Sequence, residues 1–78
     1  MLLSETAELL AFINSFEGRE TTEIEARAWH RVIGDVDPAA AADAVREHYE
    51  TTSRRIWPAD IRRATVDSVG RDEYLLRA

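Results

Sequence analysis

An all-α fold, a compact bundle of about four short helices followed by a short C-terminal tail, is what this sequence predicts. Three observations carry the prediction. Apolar residues recur at three- and four-residue spacing nearly throughout, with no convincing alternating segment. Helix start and stop residues punctuate that pattern at regular intervals. A chain of 78 residues has room for one domain with one modest core.

The elements follow in order. Ser4 is placed to cap a first helix over roughly Glu5 to Glu17, with Leu9, Leu10, Ile13 and Phe16 forming a wide apolar face. Gly18-Arg19-Glu20-Thr21 breaks the pattern. Thr22 with Glu25 three residues later is a capping-box signature, opening a second helix whose apolar positions are Ile24, Ala28, Trp29, Val32 and Ile33. That helix is expected to end near Gly34 in a left-handed residue. Asp37 and Pro38 make the clearest start in the chain, because the carboxylate accepts from free amides and the proline has no amide to lose. The third helix then runs to about Glu50 with Ala41, Ala42, Val45 and Tyr49 as its buried stripe. A fourth helix follows Pro58, carries Ile61, Ala64 and Thr65 on one side, and ends by Gly70. The predicted division is a bundle over 1–70 and a tail over 71–78.

Composition narrows the function classes. Cysteine is absent, which removes disulfides, thiolate nucleophiles and cysteine-based zinc sites, and a reducing cytoplasmic setting fits. Met1-Leu2-Leu3 gives way at once to Ser4-Glu5 with no basic segment before it, so neither a signal peptide nor a membrane span is expected. The formal charge is -5, and every cation is an arginine. Residues 1–50 hold eleven acids against four arginines, whereas residues 51–78 hold six arginines against four acids, an acidic body with a basic end. Net negative charge disfavours general binding to phosphate backbones. A core of this size supplies only about 3 to 5 kcal/mol, so an enclosed active site is not expected and a partner surface or homo-oligomerisation is.

The side chains that carry chemistry are sparse. His30 and His48 share no metal-ligand spacing, no strand-turn-helix elbow surrounds a serine, and glycine at 18, 34 and 70 builds no phosphate loop. The carboxylates read as helix caps and as pairs one turn apart, such as Glu23 with Arg27 and Arg46 with Glu50. No catalytic, cofactor-binding or metal-binding residue is assigned, and an enzyme is not expected. The segment that stands out is Ser53 to Arg63, where four arginines surround a Trp57-Pro58 corner. A residue before proline is pushed toward extended backbone, and proline suits the first position of a helix. Arg54, Arg55, Trp57, Arg62 and Arg63 are therefore candidates for a partner-binding rim, joined by Tyr74, Leu75 and Leu76 of the tail. The competing reading makes Ile56, Trp57 and Ile61 core residues and the arginines solvated.

Taken together, Glu5 to Leu10, Ile13, Trp29-His30-x-x-Ile33-x-Asp35, Ala41 to Val45, His48-Tyr49 and Ile56-Trp57-Pro58-Ala59-Asp60-Ile61 form one pattern. It resembles the N-terminal helical domain of phage replicative-helicase loader/inhibitor proteins over roughly Ser4 to Ala64. Trp29, Ile33, Asp35 and Pro58-Ala59-Asp60-Ile61 stand at the family's places. The resemblance implies a small all-helical, non-enzymatic accessory protein of phage or prophage DNA replication that contacts a DnaB-type helicase or an origin-binding protein. The family continues into a C-terminal extension associated with helicase contact, and this chain departs from that pattern soon after Gly70. Either Arg71 to Ala78 is a shortened equivalent, or the scaffold serves another partner. Two alternatives stand beside this reading. One is a small DNA-binding regulator using the basic end, since the turn Gly34 to Asp37 has helix-turn-helix spacing, although Asp37, Ala39, Ala40 and Asp43 would read no bases. The other is an acidic inhibitor presenting Glu5, Glu8, Glu17, Glu20, Glu23 and Glu25 to a basic host protein.

Overall fold

In the computed structural model, which describes residues 1–65, the chain is an all-α bundle of four helices, and no strand occurs among the described residues. They are α1 (Leu3–Ser15), α2 (Glu23–Ile33), α3 (Pro38–Thr51) and α4 (58–65). None of them is long and apolar enough to cross a membrane. The expected end of the last helix near Gly70 and the tail boundary at 70/71 lie outside the described residues.

Hydrophobic burial organises the bundle. α1 packs against both α2 and α3. Leu10 and Ile13 of α1, Ala26, Trp29 and Ile33 of α2, Ala41 and Val45 of α3 and Ile61 of α4 form one buried cluster, and the connecting segments add Val36 and Ile56. Burying a side chain of the Ile or Leu size contributes about 1.5–3 kcal/mol, so these few residues carry the domain. Met1, Leu3, Ala7, Leu9 and Tyr49 pack against the cluster while staying partly exposed.

The local signals set most boundaries. Thr22 caps α2 by accepting from the Glu25 amide at 3.1 Å, and Asp37 caps α3 by accepting from Ala40 at 3.1 Å, with Pro38 at the first helical position. Gly18 ends the turn after α1 at a φ of 68°, and the Arg19 amide reaches back to the Asn14 carbonyl at 3.0 Å, the six-to-one bond of a left-handed helix stop. The start of α1 differs from expectation. Leu2, not Ser4, is the capping residue, and its amide is satisfied by Glu5 Oε1 at 2.7 Å, so Ser4 falls inside the helix.

Gly34 also departs from expectation: its φ is -62°, ordinary helical backbone rather than left-handed. Its need for glycine is steric. A Cβ there would stand 2.5 Å from the His30 carbonyl oxygen and 3.1 Å from the His30 ring. That ring is held in place because His30 Nε2 donates to the Met1 carbonyl at 2.9 Å. The Met1 amine in turn donates to the carbonyls of Gly34 and Val36, which secures the start of α1 over the end of α2.

The expected buried faces are partly rotated. Phe16 is 55% exposed, and Ile24 is 83% exposed with Ala28 also at the surface and Val32 at 40%. α2 buries Ala26, Trp29 and Ile33, a stripe roughly 130° around the helix from Ile24, Ala28 and Val32 at about 100° per residue. In α3, Ala44 is buried and Ala42 is exposed, the reverse of the expected stripe, while Ala41, Val45 and the half-buried Tyr49 keep theirs. In α4, Ile61 is fully buried but Ala64 is exposed.

Candidate functional site

The Trp57-Pro58 corner is built as its local chemistry requires. Residues 54–57 run without helix into α4, whose first residue is Pro58. Asp60, in the first turn, reaches back and accepts from the Trp57 amide at 2.9 Å, the returning half of a capping box, while the Asp60 amide donates to the Trp57 carbonyl at 2.9 Å. The preceding Ile56 amide donates to the Tyr49 hydroxyl at 3.1 Å, and Ile56 itself is 1% exposed. Arg54 contributes its carbonyl, which accepts from His48 Nε2 at 2.8 Å. The corner is thus fixed on both sides of Trp57, which remains 54% exposed.

Arg55 corrects the expectation of a four-arginine rim. Its side chain is only 10% exposed and points into the bundle, where Nη2 donates to Asn14 Oδ1 at 2.9 Å. Nη1 lies 3.4 Å from Glu17 Oε1, and Nη2 lies 3.6 Å from Glu25 Oε2. The guanidinium also lies against two indoles, 5.1 Å from the Trp57 ring centre and 5.9 Å from that of Trp29, whose rings are 6.4 Å apart. Such contacts join charge, hydrogen bond and cation-π attraction in a partly dry site. The cost is visible too, because Arg55 Nε and Nη1 are buried without a hydrogen bond.

A polar network inside the acidic body receives this arginine. Asn14 is fully buried, and its Nδ2 donates to Thr21 Oγ1 and Glu25 Oε1, both at 3.1 Å. Glu25 Oε2 also pairs with Arg19 at 3.7 Å. With one oxygen on Asn14 and the other on two arginines, Glu25 does not turn back to the Thr22 amide to complete the capping box. Asn14, Glu17, Glu25 and Trp29 are therefore the residues that sequence reasoning did not connect to the corner. The available signal was Asn14 itself, an amide one turn after Leu10 in an apolar stripe, which demands a buried partner.

The other expected rim residues divide. Arg62 is turned toward the end of α2, donating to the Val32 carbonyl at 2.9 Å and pairing with Asp35. The Arg62 hydrogen bond, aided by the Asp35 backbone, holds the Asp35 carboxyl below the usual aspartate value. Arg63 is 67% exposed and pairs with Asp60 at 3.2 Å, and Arg54 is exposed with no carboxylate partner among the described residues. Tyr74, Leu75 and Leu76 lie outside the described residues. The expected pairs Glu23 with Arg27, at 2.6 Å, and Arg46 with Glu50, at 3.8 Å, are both present.

An open groove of about 240 Å³ lies between α3 and α4, lined by Ala44, Glu47, His48, Ile56, Asp60 and Ala64. Asp60 is already occupied by the Trp57 amide and Arg63. What the corner offers chemically is contact: a held indole with arginines beside it. Comparison with protein-family models, with curated proteins and with solved structures finds no match to this chain.

Proposed function

We propose that this chain is an accessory protein of phage-type DNA replication that acts by protein contact, with a DnaB-type replicative helicase as its partner and Trp57 as the anchor of the contact. The observation that carries the reading is the half-exposed Trp57, fixed by Pro58, by the Asp60 hydrogen bond and by the Arg55 guanidinium beneath it. A large aromatic side chain whose rotamer is set before binding loses little entropy on association, which is why such residues dominate interface energetics. The resemblance of Trp29, Ile33 and Pro58-Ala59-Asp60-Ile61 to the loader/inhibitor pattern supplies the identity of the partner. Arg54 and Arg63 flank the indole as the exposed basic groups, and Arg55 acts from below as a positioning residue.

Direct DNA binding by the basic end is weakened as a second reading. Arg55, Arg62 and Arg63 each meet a carboxylate of this chain, so little of their charge is presented to phosphate. The test is binding of the purified chain to a purified DnaB-type helicase. Trp57→Ala is expected to weaken the complex about tenfold or more, and Arg54→Glu with Arg63→Glu to weaken it further. Unchanged binding by Trp57→Ala removes this surface, and retention on duplex DNA that falls steeply with salt favours the regulator instead.

A further inference from the structure

A second apolar surface lies where α1 meets α3, adjoining through Tyr49 the segment that leads into the Trp57 corner. Phe12 is 49% exposed and Phe16 55% exposed, and their rings meet edge to face with centres 5.1 Å apart. Phe16 continues onto Tyr49 of α3 at 4.7 Å, and Tyr49 onto His48 at 5.1 Å. Leu9, partly buried one turn before Phe12 and Ile13, extends the row along α1. Two half-exposed phenylalanines in one continuous aromatic row, on a domain with so small a core, form a contiguous patch of the kind that marks a contact site.

Charge decides what covers it. Glu8 stands one turn before Phe12, and Glu50 follows Tyr49. The cation nearest in register, Arg46, is engaged by both Asp43 at 3.4 Å and Glu50 at 3.8 Å. Along the sequence, Glu8 and Glu50 thus flank the row against Arg46, within a chain whose first fifty residues hold eleven acids against four arginines. A second copy of this chain, docked about a two-fold axis, would bring that acidic rim against itself. We propose that the Phe12-Phe16-Tyr49 row is a docking surface for an amphipathic helix of a partner protein, one with an apolar stripe flanked by lysine or arginine. The apolar stripe lies along the aromatic row and its basic flanks meet Glu8 and Glu50, the helix-in-groove mode of recognition. This inference does not depend on the helicase reading, because neither Phe12 nor Phe16 takes part in the Trp57 corner, although Tyr49 also accepts from the Ile56 amide that precedes it.

Fluorescence anisotropy with labelled model helices tests it on the whole chain. The probe is an amphipathic peptide of leucine and lysine, with a leucine-glutamate peptide and an alanine-lysine peptide of the same length as controls. The leucine-lysine peptide is expected to bind, and both controls to bind at least tenfold more weakly. Phe12→Ala with Phe16→Ala is expected to lose at least tenfold in affinity with an unchanged helical circular dichroism spectrum, and Trp57→Ala to bind as the parent does. Equal affinity for the alanine-lysine peptide, or undiminished binding by the double variant, overturns the site. Equal affinity for the leucine-glutamate peptide overturns the charge argument. Concentration-dependent dimerisation abolished by the double variant overturns the choice of occupant in favour of a second copy. Loss of binding only in Trp57→Ala assigns the peptide to the other corner and likewise overturns the proposal.

Discussion

Replacing Arg55 by alanine removes a side chain that joins the α3–α4 connection to Asn14 of α1 and Glu25 of α2 at the same time. Its Nη2 bond satisfies Asn14 Oδ1, a fully buried acceptor, and leaving such a group unpaired costs about 1–3 kcal/mol. The contacts with Trp29 and Trp57 add about 0.5–1 kcal/mol. The ion pairs to Glu17 and Glu25 are longer and partly solvated, their side chains 42% and 21% exposed, so each contributes at most about 1 kcal/mol. Against this, the variant no longer buries Nε and Nη1 without partners, which returns part of the loss. The net expectation is a destabilisation of about 2–3 kcal/mol, a large share of the stability open to a domain of this size. Thermal unfolding followed by helical circular dichroism should show a midpoint lower by roughly 10–20 °C. Because Trp29 and Trp57 are the only tryptophans in the chain, their fluorescence reports the same site directly. Arg55→Met keeps most of the volume and should fall between the two. A midpoint within a degree or two of the parent for Arg55→Ala would refute the view that this arginine is structural and return it to the solvated rim.

Two further outcomes follow from single groups. The Thr6 hydroxyl is fully buried with no hydrogen-bond partner, so Thr6→Val, which keeps the branched shape, should stabilise the domain by about 1 kcal/mol in denaturant titration, and a loss of stability would show that the hydroxyl is satisfied in solution. Asp35 has its carboxyl lowered by the hydrogen bond from Arg62, so its contribution is present above the ordinary aspartate value and lost as pH falls through the lowered folded value. The gap in unfolding midpoint between the parent chain and Asp35→Asn should therefore be open at neutral pH and close in strong acid; a gap that persists there means that the Arg62 pair is not its source.

Helix identity and the caps at Thr22 and Asp37-Pro38 were legible because they depend on residues three or four apart, whose hydrogen bonds form wherever the chain turns helical. The fourth helix start at Pro58 was legible for the same reason. Which side of each helix is buried was less so. Ile24, Ala28 and Val32 have the spacing of a buried face as well as Ala26, Trp29 and Ile33 do, and the choice rests on where α1 lies, which no local pattern encodes.

The candidate site shows the same division more sharply. Sequence alone determined that a tryptophan would be held at a proline-led helix start with arginines around it, since backbone restriction at Trp57-Pro58 is a property of the dipeptide. Only the tertiary structure decided which arginine turns inward. Arg54 and Arg55 are neighbours of one type, yet Arg55 enters the bundle because Asn14, Glu17 and Glu25, some thirty to forty residues earlier, converge where its guanidinium reaches. A long charged side chain takes the environment its partners provide, and those partners come together only when α1 and α2 have packed.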